Sequence, residues 1–239
     1  MRNIDLGAER DFENRKAGGE DLRGDQSKFY WATSLSISKH IKQTCIEIKD
    51  KNVLEIGCAS GEDATIYCEH VSTYTGVDIS NVAIDNCLNL KLVNASFFCS
   101  DGHKLPLDDA SVDCVIVNSL LHHLDLYTAF EEIKRVLTSD GVLIFREPLG
   151  TNPAFQLYRA FTPKSRTEDE KPFTFSDLRL MRKYFDMACS VQWFGFFSIF
   201  SAYTGSEWLR LQLTVLDCWL SKTPLRFFFW QISGIVKLK

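Results

Sequence analysis

The chain has 239 residues, of which 45% are hydrophobic and 24% charged. That balance is typical of a globular chain with enough apolar material for a full core, in one elaborated domain. The net charge of −4 provides no overall basic field. The composition therefore does not favour nucleic acid as a partner.

Several features of the chain bear on its compartment. Its eight cysteines include no Cys-x-x-Cys pair, and residues 1–25 are dense in charge and contain no apolar signal segment. We therefore expect reduced thiols and a cytoplasmic location. Residues 187–206 are uncharged, but serines and glycines interrupt them, so we expect a buried strand and a turn and no transmembrane segment. The histidines are scattered, and we predict no metal site.

Between residues 52 and 148, short apolar stretches alternate with amphipathic ones, which predicts strands alternating with helices. The predicted strands cover residues 53–56, 74–78, 96–99, 112–117 and 142–145, and the predicted helices cover 62–70, 81–92 and 127–137. Asp140-Gly141 is expected to separate the last helix from the last strand. Repeated alternation of this kind implies a parallel sheet connected by right-handed crossovers.

The pattern beyond residue 148 is less regular. Residues 150–172 contain three prolines and a charged run, which predicts a long loop or a broken helix. A helix capped by Ser176 is expected over residues 174–184. Residues 190–200 are strand-like, 207–220 form a helix that is apolar on more than one face, and 228–239 provide the final strand.

The strongest chemical signal is the segment Val53-Leu54-Glu55-Ile56-Gly57-Cys58-Ala59-Ser60-Gly61-Glu62, where a strand runs into a small-residue turn and then a helix. Gly57 permits a tight turn, and the small residues let the backbone approach a ligand closely. Asp78 ends the next strand, 21 residues after Gly57 (78 − 57). An acidic residue at that distance accepts hydrogen bonds from the hydroxyls of a ribose.

These residues, with later segments, resemble the motif series of the class I S-adenosylmethionine-dependent methyltransferases. The resemblance spans residues 52–148 and is nearest to the small-molecule group that includes the ubiquinone and menaquinone methyltransferases. One departure is Ala59, where the family usually has glycine. The later segments are Ser100-Asp101-Gly102, Leu105 to Asn118, Leu121-His122-His123-Leu124, and Leu137 to Ile144.

The resemblance implies an α/β fold, a Rossmann-like three-layer sandwich with a mostly parallel seven-stranded sheet whose last strand is antiparallel. Residues 1–51 would form an N-terminal arm and helical lid, and 52–148 the S-adenosylmethionine-binding core. Residues 149–239 would add a substrate-side loop, an inserted helix and the final strands of the same domain.

The resemblance also assigns the cofactor site. Asp78 would bind the ribose hydroxyls and Asp101 the adenine amino group, with Gly102 and His103 beside the ring. The Gly57 turn and Asn118 would hold the methionine part, and Glu55 would support the loop. The full set of expected cofactor residues is Glu55, Gly57, Cys58, Ala59, Gly61, Asp78, Ile79, Ser80, Asp101, Gly102, His103 and Asn118.

Methyl transfer from a sulfonium ion is an in-line displacement, so the protein mainly aligns and desolvates the reactants. A base is needed only for an acceptor that is protonated near neutral pH, and His122 or His123 is the candidate. The alternative for each is that it caps or packs the following helix. The acceptor, a small apolar or anionic molecule, is methylated on oxygen, nitrogen or carbon, and the product cofactor is S-adenosylhomocysteine. The expected substrate residues are Tyr30 and Trp31, as a lid that also covers the cofactor, and Arg146, Glu147, Tyr158, Arg159 and Arg166.

Other classes share part of this pattern. A nicotinamide-dependent oxidoreductase has a glycine turn and an acidic residue, but this turn lacks Gly-x-Gly-x-x-Gly. A nucleic-acid methyltransferase would carry Asn/Asp-Pro-Pro-Tyr/Phe where this chain has Asn118-Ser119-Leu120-Leu121. A non-catalytic S-adenosylmethionine-binding partner protein is the third alternative, and the intact cofactor residues argue against it.

The helix predicted over residues 207–220 has more apolar surface than one buried face needs. A second face is therefore expected to contact an apolar substrate as a lid, a second subunit in a homodimer, or a membrane surface. Of these, the lid is the favoured interpretation.

Overall fold

The computed structural model describes residues 5–21, 27–161, 171–187 and 191–239. The α-helices are α1 (Leu6–Ala17), α2 (Ser27–Glu47), α3 (Glu62–Tyr67), α4 (Asn81–Asn89), α5 (Leu126–Val136), α6 (Pro153–Phe161), α7 (Phe175–Tyr184) and α8 (Glu207–Leu220). The strands are β1 (Asn52–Ile56), β2 (Thr73–Asp78), β3 (Ala95–Cys99), β4 (Val112–Asn118), β5 (Leu137–Pro148), β6 (Phe185–Asp186), β7 (Val191–Phe194) and β8 (Gln231–Leu238). Short 3₁₀ turns cover Leu121–His123, Ser198–Tyr203 and Pro224–Phe228.

The strands form one sheet in the order β3-β2-β1-β4-β5-β8-β6, and β7 also pairs with β8. Strands β1 to β5 are parallel, while β8 is antiparallel to β5, and β6 and β7 are antiparallel to β8. The predicted mixed sheet with an antiparallel last strand is confirmed. The strand count is eight instead of seven because the two short strands β6 and β7 pair with different parts of β8.

The hydrophobic core lies on both faces of the sheet. Val115, Val117, Leu143 and Phe145 point to one face, and the residues between them in sequence point to the other face. Strands buried on both sides have this nearly continuous apolar sequence. Helix α5 packs its apolar stripe on the first face, where Phe130 and Ile133 are fully buried. The two faces therefore bury two separate clusters, and the polar residues remain at the strand ends.

Three predicted boundaries are wrong. Strand β5 starts directly at Leu137, so Asp140-Gly141 lies inside a strand. Thr174, not Ser176, caps α7, because its side chain and that of Asp177 form a reciprocal capping box. The strand expected over residues 190–200 ends at Phe194, since Gly195 adopts a φ of +83° that a strand does not permit.

Within the described residues, no helix is both long enough and apolar enough to cross a membrane. In the same part of the chain, no group of three His, Cys, Asp or Glu side chains is placed to hold a metal ion. The cytoplasmic location stays a prediction.

Candidate active site

The turn after β1 forms one wall of a cavity at the carboxyl end of the sheet. Gly57 has a φ of +78°, and a Cβ there would lie 2.9 Å from Leu120 Cδ2, so both conformation and space require glycine. Ala59 also has a positive φ, of 45°, which is uncommon for a residue with a Cβ. The backbone of the turn is therefore left-handed at Ala59, the position where the family usually has glycine.

Asp78 at the end of β2 holds this turn in place. Its Oδ2 accepts a hydrogen bond from Ala59 N (2.9 Å), and its Oδ1 accepts one from Ser80 N (2.9 Å). Burial raises the pKa of Asp78, although these two backbone hydrogen bonds oppose the shift. A carboxylate oxygen has two lone pairs, so each oxygen retains the capacity to accept one further hydrogen bond.

Asp101, after β3, is oriented by its neighbour His103. Asp101 Oδ1 accepts from His103 N (3.0 Å) and lies 2.7 Å from His103 Nδ1. His103 Nε2 accepts a hydrogen bond from Asp125 N (2.9 Å), so the imidazole proton is on Nδ1. Burial opposes ionisation of Asp101, but the hydrogen bonds from His103 outweigh it and lower the pKa. No described residue donates to the second oxygen, Oδ2, which is thus free for a ligand.

Helix α1 covers the cavity from above. Ser80 Oγ donates to Asn14 Oδ1 (2.7 Å), and Asn86 Nδ2 donates to Ala17 O (3.2 Å), so the helix is attached to α4. The sequence predicted a lid in this region but assigned the cover to Tyr30 and Trp31. That assignment is corrected, because α1 supplies the residues over this cavity: Leu6, Glu9, Glu13 and Lys16.

The cavity has a volume of about 840 Å³ including its opening to solvent, which is within the range of small-molecule sites. Of the expected cofactor residues, seven line it: Gly57, Ala59, Asp78, Ile79, Asp101, Gly102 and Asn118. Five do not: Glu55, Cys58, Gly61, Ser80 and His103. Further lining residues that sequence reasoning missed are Ile56, Val77, Ser100, Ser119, Leu120 and Leu124.

Four of the five residues that do not line the cavity support the residues that do. His103 orients Asp101, and Ser80 caps α4 by accepting from Ala83 N. Gly61, at a φ of +87°, turns the chain into α3. Glu55 is fully buried, and the Tyr74 hydroxyl donates to its carboxyl group. Burial raises the pKa of Glu55 well above its usual range, and Glu55 does not line the cavity.

The two neighbouring histidines have different surroundings. His123 lines the cavity, and its Nδ1 lies 2.9 Å from Glu9 Oε1 of α1. His122 is outside the lining, and its Nδ1 lies 2.7 Å from Glu147 Oε2. Glu147 Oε1 accepts from Leu120 N (2.9 Å) and Leu121 N (2.8 Å). Glu147 is fully buried, so it does not make the expected contact with substrate. Its hydrogen bonds instead position the backbone turn of residues 119–121.

A second cavity lies beside the first, between α2 and the ends of β5 and α3. It is lined by Tyr30, Trp31, Ser34, Ile37, Ser38, Ile41, Asp63 and Arg146. Asn118 of the first cavity donates from Nδ2 to Asp63 Oδ2 (3.0 Å), so this hydrogen bond joins the two cavities. Tyr158 and Arg159 fall in α6, but their side chains lie outside the described residues, as does the whole of Arg166.

The comparisons with known proteins agree with this geometry. Residues 54–145 match the sequence model of a family described as "Methyltransferase domain". The match runs from β1 into β5 and includes Asp78 and Asp101 of the first cavity.

Two curated relatives show how far the sequence similarity extends. The chain is 30% identical over 112 residues to phthiotriol/phenolphthiotriol dimycocerosates methyltransferase 1 of Mycobacterium ulcerans, which covers 45% of this chain and 41% of that protein. It is 33% identical over 111 residues to the ubiquinone biosynthesis O-methyltransferase of Coxiella burnetii, covering 45% and 47%. The chain thus matches less than half the length of these relatives.

Solved structures share the fold over nearly the whole chain. Geranyl diphosphate C-methyltransferase of Streptomyces coelicolor superposes with a TM-score of 0.64 at 12% identity, covering 99% of each chain. The N-methyltransferase NodS of Bradyrhizobium japonicum, crystallised with S-adenosyl-L-homocysteine, gives 0.62 at 15% identity, covering 96% and 97%. At these identities the similarity shows the fold alone.

Proposed function

We propose that this protein transfers the methyl group of S-adenosylmethionine to a small organic acceptor. The observation that carries the proposal is the placement of Asp78 and Asp101 at the ends of adjacent strands, in one cavity beside the Gly57 turn. Two carboxylates that follow adjacent strands at one sheet edge suit a nucleoside. One can accept hydrogen bonds from the ribose hydroxyls and the other from the adenine amino group.

The residues present fit such a cofactor. Asp78 has acceptor capacity left on each oxygen, and Asp101 Oδ2 has no hydrogen bond from a described residue. Asn118 has a buried Oδ1 without a donor in the described residues, which suits the ammonium group of the methionine part. A Cβ on Gly102 would lie 3.1 Å from Ile56 Cγ2, so a larger residue there would crowd the wall of the cavity.

The cofactor supplies the activated methyl group, as the substituent of a sulfonium ion. The chain's own residues bind it, orient it and exclude water. Helix α1 closes the cavity from above through Leu6, Glu9, Glu13 and Lys16. Asn118 lies at the joint between the two cavities, which supports a methionine part bound beside the second cavity.

The experiment that tests this function is calorimetry with S-adenosylhomocysteine and with NADH. We expect the first to bind and the second not to bind. Asp78→Ala is expected to weaken S-adenosylhomocysteine binding by about 1.5–3 kcal/mol, because charge-assisted hydrogen bonds to the ribose are lost. The control is Asp85→Ala, which removes an exposed carboxylate of α4. Unchanged affinity in a folded Asp78 variant, or preference for NADH, refutes the proposal.

For an acceptor that must lose a proton, we propose His123 as the base and His122 as a positioning residue. His123 lines the cavity, and Glu9 next to its Nδ1 orients the ring. With any acceptor that the wild-type protein methylates, His123→Asn is expected to lower turnover by about 10²-fold while S-adenosylhomocysteine affinity is kept. The deficit is expected to shrink as pH rises, since the acceptor then ionises without a base. A deficit that is independent of pH indicates a purely structural role.

A further inference from the structure

Arg146 at the end of β5 is a cation without an anionic partner. Its guanidinium group lines the second cavity, and no described residue forms an ion pair or hydrogen bond with it. The side chain is half-buried. A guanidinium group has five hydrogen-bond donors arranged to bind a planar acceptor with two oxygens. Because these donors are partly desolvated and form no hydrogen bond with a described residue, they favour a carboxylate ligand.

The groups around Arg146 do not neutralise it. Burial, together with the charge of Arg146, lowers the pKa of His40 to about 4, so His40 is neutral. Glu55 is buried and accepts a hydrogen bond from the Tyr74 hydroxyl, and burial raises its pKa. Asp63 lines the same cavity but is held by Asn118, and it forms no ion pair with Arg146. The second cavity thus has a positive end at Arg146 and a negative one at Asp63.

Two aromatic side chains of α2, Tyr30 and Trp31, form part of the remaining wall of the cavity. The Arg210 guanidinium of α8 lies 4.7 Å from the centre of the Trp31 ring and donates to Trp31 O and Ser34 Oγ. The Tyr30 ring packs against Trp230, with 5.9 Å between ring centres, while 41% of Tyr30 stays exposed at the mouth. Flat, immobilised rings next to a cation suit a planar ligand that enters from solvent.

We propose that the second cavity is the acceptor subsite and that Arg146 binds the carboxylate of a planar organic acid there. This inference rests on the proposed methyl transfer and names the class of molecule that would receive the methyl group. The Asp63 end adjoins Asn118 of the cofactor cavity. Arg146 is also the register partner of Asn118 across β4 and β5, so a carboxylate held by Arg146 places the acid next to the cofactor cavity.

A second source of a carboxylate is the methionine part of the cofactor itself. Asn118 is the register partner of Arg146 across β4 and β5 and donates to Asp63, so a carboxylate beside Asn118 would lie near both residues. The Asp63 carboxylate repels an anion at that point. The acceptor is the proposed source because Arg146 lines the second cavity together with Tyr30 and does not line the first cavity.

The test uses the full chain saturated with S-adenosylhomocysteine and the matched probes benzoate and benzamide, measured by ligand-observed NMR titration. We expect benzoate to bind and benzamide to bind at least about 10-fold more weakly. Arg146→Gln is expected to abolish that preference. Arg179→Gln, an exposed arginine of α7 outside both cavities, is expected to keep it. Failure of benzoate to bind the wild-type protein, or equal binding to the Arg146 variant, overturns the proposal.

A second measurement separates the two sources of the carboxylate. 5′-Methylthioadenosine lacks the amino and carboxylate groups of S-adenosylhomocysteine. We expect Arg146→Gln to change the affinity for both by less than about threefold. A loss of affinity for S-adenosylhomocysteine alone assigns Arg146 to the cofactor and overturns the acceptor subsite. If neither nucleoside binds the wild-type protein, it is the proposed methyltransferase function that fails.

Discussion

Glu147 joins the last parallel strand to the turn that carries both histidines. One carboxylate oxygen accepts the backbone N–H groups of Leu120 and Leu121, and the other lies 2.7 Å from His122 Nδ1. Ser119, at the start of this turn, has a φ of 55°. Because Glu147 has no exposure to solvent, its hydrogen bonds form without competition from water. A single buried side chain therefore fixes the wall of the cavity between Asn118 and His123.

This placement predicts a pH-dependent stability. Burial raises the pKa of Glu147 from 4.5 to about 8, although hydrogen bonds from Leu121 and Leu120 and the charges of His123 and Arg146 oppose it. A group whose pKa is raised on folding stabilises most below its unfolded value, and that contribution is lost as pH rises through the folded value. Glutamine has no proton to lose, so Glu147→Gln should gain stability relative to wild type between pH 4.5 and about 8.

Urea unfolding at a series of pH values in this window measures the difference. The control is Glu62→Gln, which changes an exposed glutamate at the start of α3 and should leave the pH dependence as in wild type. If the Glu147 variant and the wild-type protein lose stability in parallel as pH rises, Glu147 is ionised throughout, and the raised pKa is wrong.

Among the elements, α8 owes its position to one carboxylate. Asp217, 1% exposed, accepts hydrogen bonds from the backbone N–H groups of residues 195–198 and from Ser198 Oγ, at 2.7 to 3.2 Å. These donors belong to the turn that ends β7. The positive φ of Gly195 and this acceptor together explain why the strand expected over residues 190–200 stops at Phe194.

Removing this acceptor should be costly. Asp217→Ala leaves four backbone donors without this acceptor, two of them in buried and two in part-buried hydrogen bonds, so we expect the free energy of unfolding to fall by about 3 kcal/mol or more. Asp140→Ala, at an exposed site in β5, should change it by less than about 0.5 kcal/mol. Urea unfolding of both variants checks the difference. A loss below about 1 kcal/mol for Asp217→Ala would mean that apolar packing alone holds α8.

Helix α1 illustrates an element whose role the sequence does not reveal. It is strongly charged, and Glu9 and Phe12 are its buried residues. Two buried positions are too few to show a helical spacing of apolar residues in the sequence. Its position depends on single polar contacts with residues far along the chain, such as Asn14 with Ser80. The Asp5 cap is the local signal that a helix starts there.

At the scale of the whole molecule, the part of the chain with repeating local signals is the part that could be predicted. The strands and helices between residues 52 and 148 were placed to within a few residues, apart from the early start of β5, because apolar periodicity and turn residues agree there. The same logic located Asp78 and Asp101 at the sheet edge. What the sequence did not show depends on contacts between distant segments: the α1 cover, the burial of Glu147, and the joint between Asn118 and Asp63.

The sequence also predicts that α8 has more apolar surface than one buried face needs, but it does not show what that surface contacts. The buried residues of α8 are Asp217 and Leu220, while Trp208 and Trp219 are 69% and 65% exposed. No α8 residue lines either of the two cavities. In this structure α8 therefore lines neither cavity, and the lid over an apolar substrate stays a prediction.

This placement leads to a prediction for Trp208→Ser combined with Trp219→Ser. Because the exposed rings contact neither cavity, we expect S-adenosylhomocysteine affinity, and turnover of any water-soluble acceptor, to match wild type. Exposed substitutions of this kind change stability by about 0.5 kcal/mol, so the fold should also be retained. Val93→Ser, at a fully exposed site before β3, is the control. Calorimetry, turnover and size-exclusion chromatography with light scattering, all on the same samples, make the comparison.

Reduced turnover with intact cofactor affinity would restore the lid, through a conformation in which α8 reaches the acceptor. A fall in molecular mass from dimer to monomer, seen in the Trp variant alone, would instead make this face the interface of the homodimer that the sequence allows.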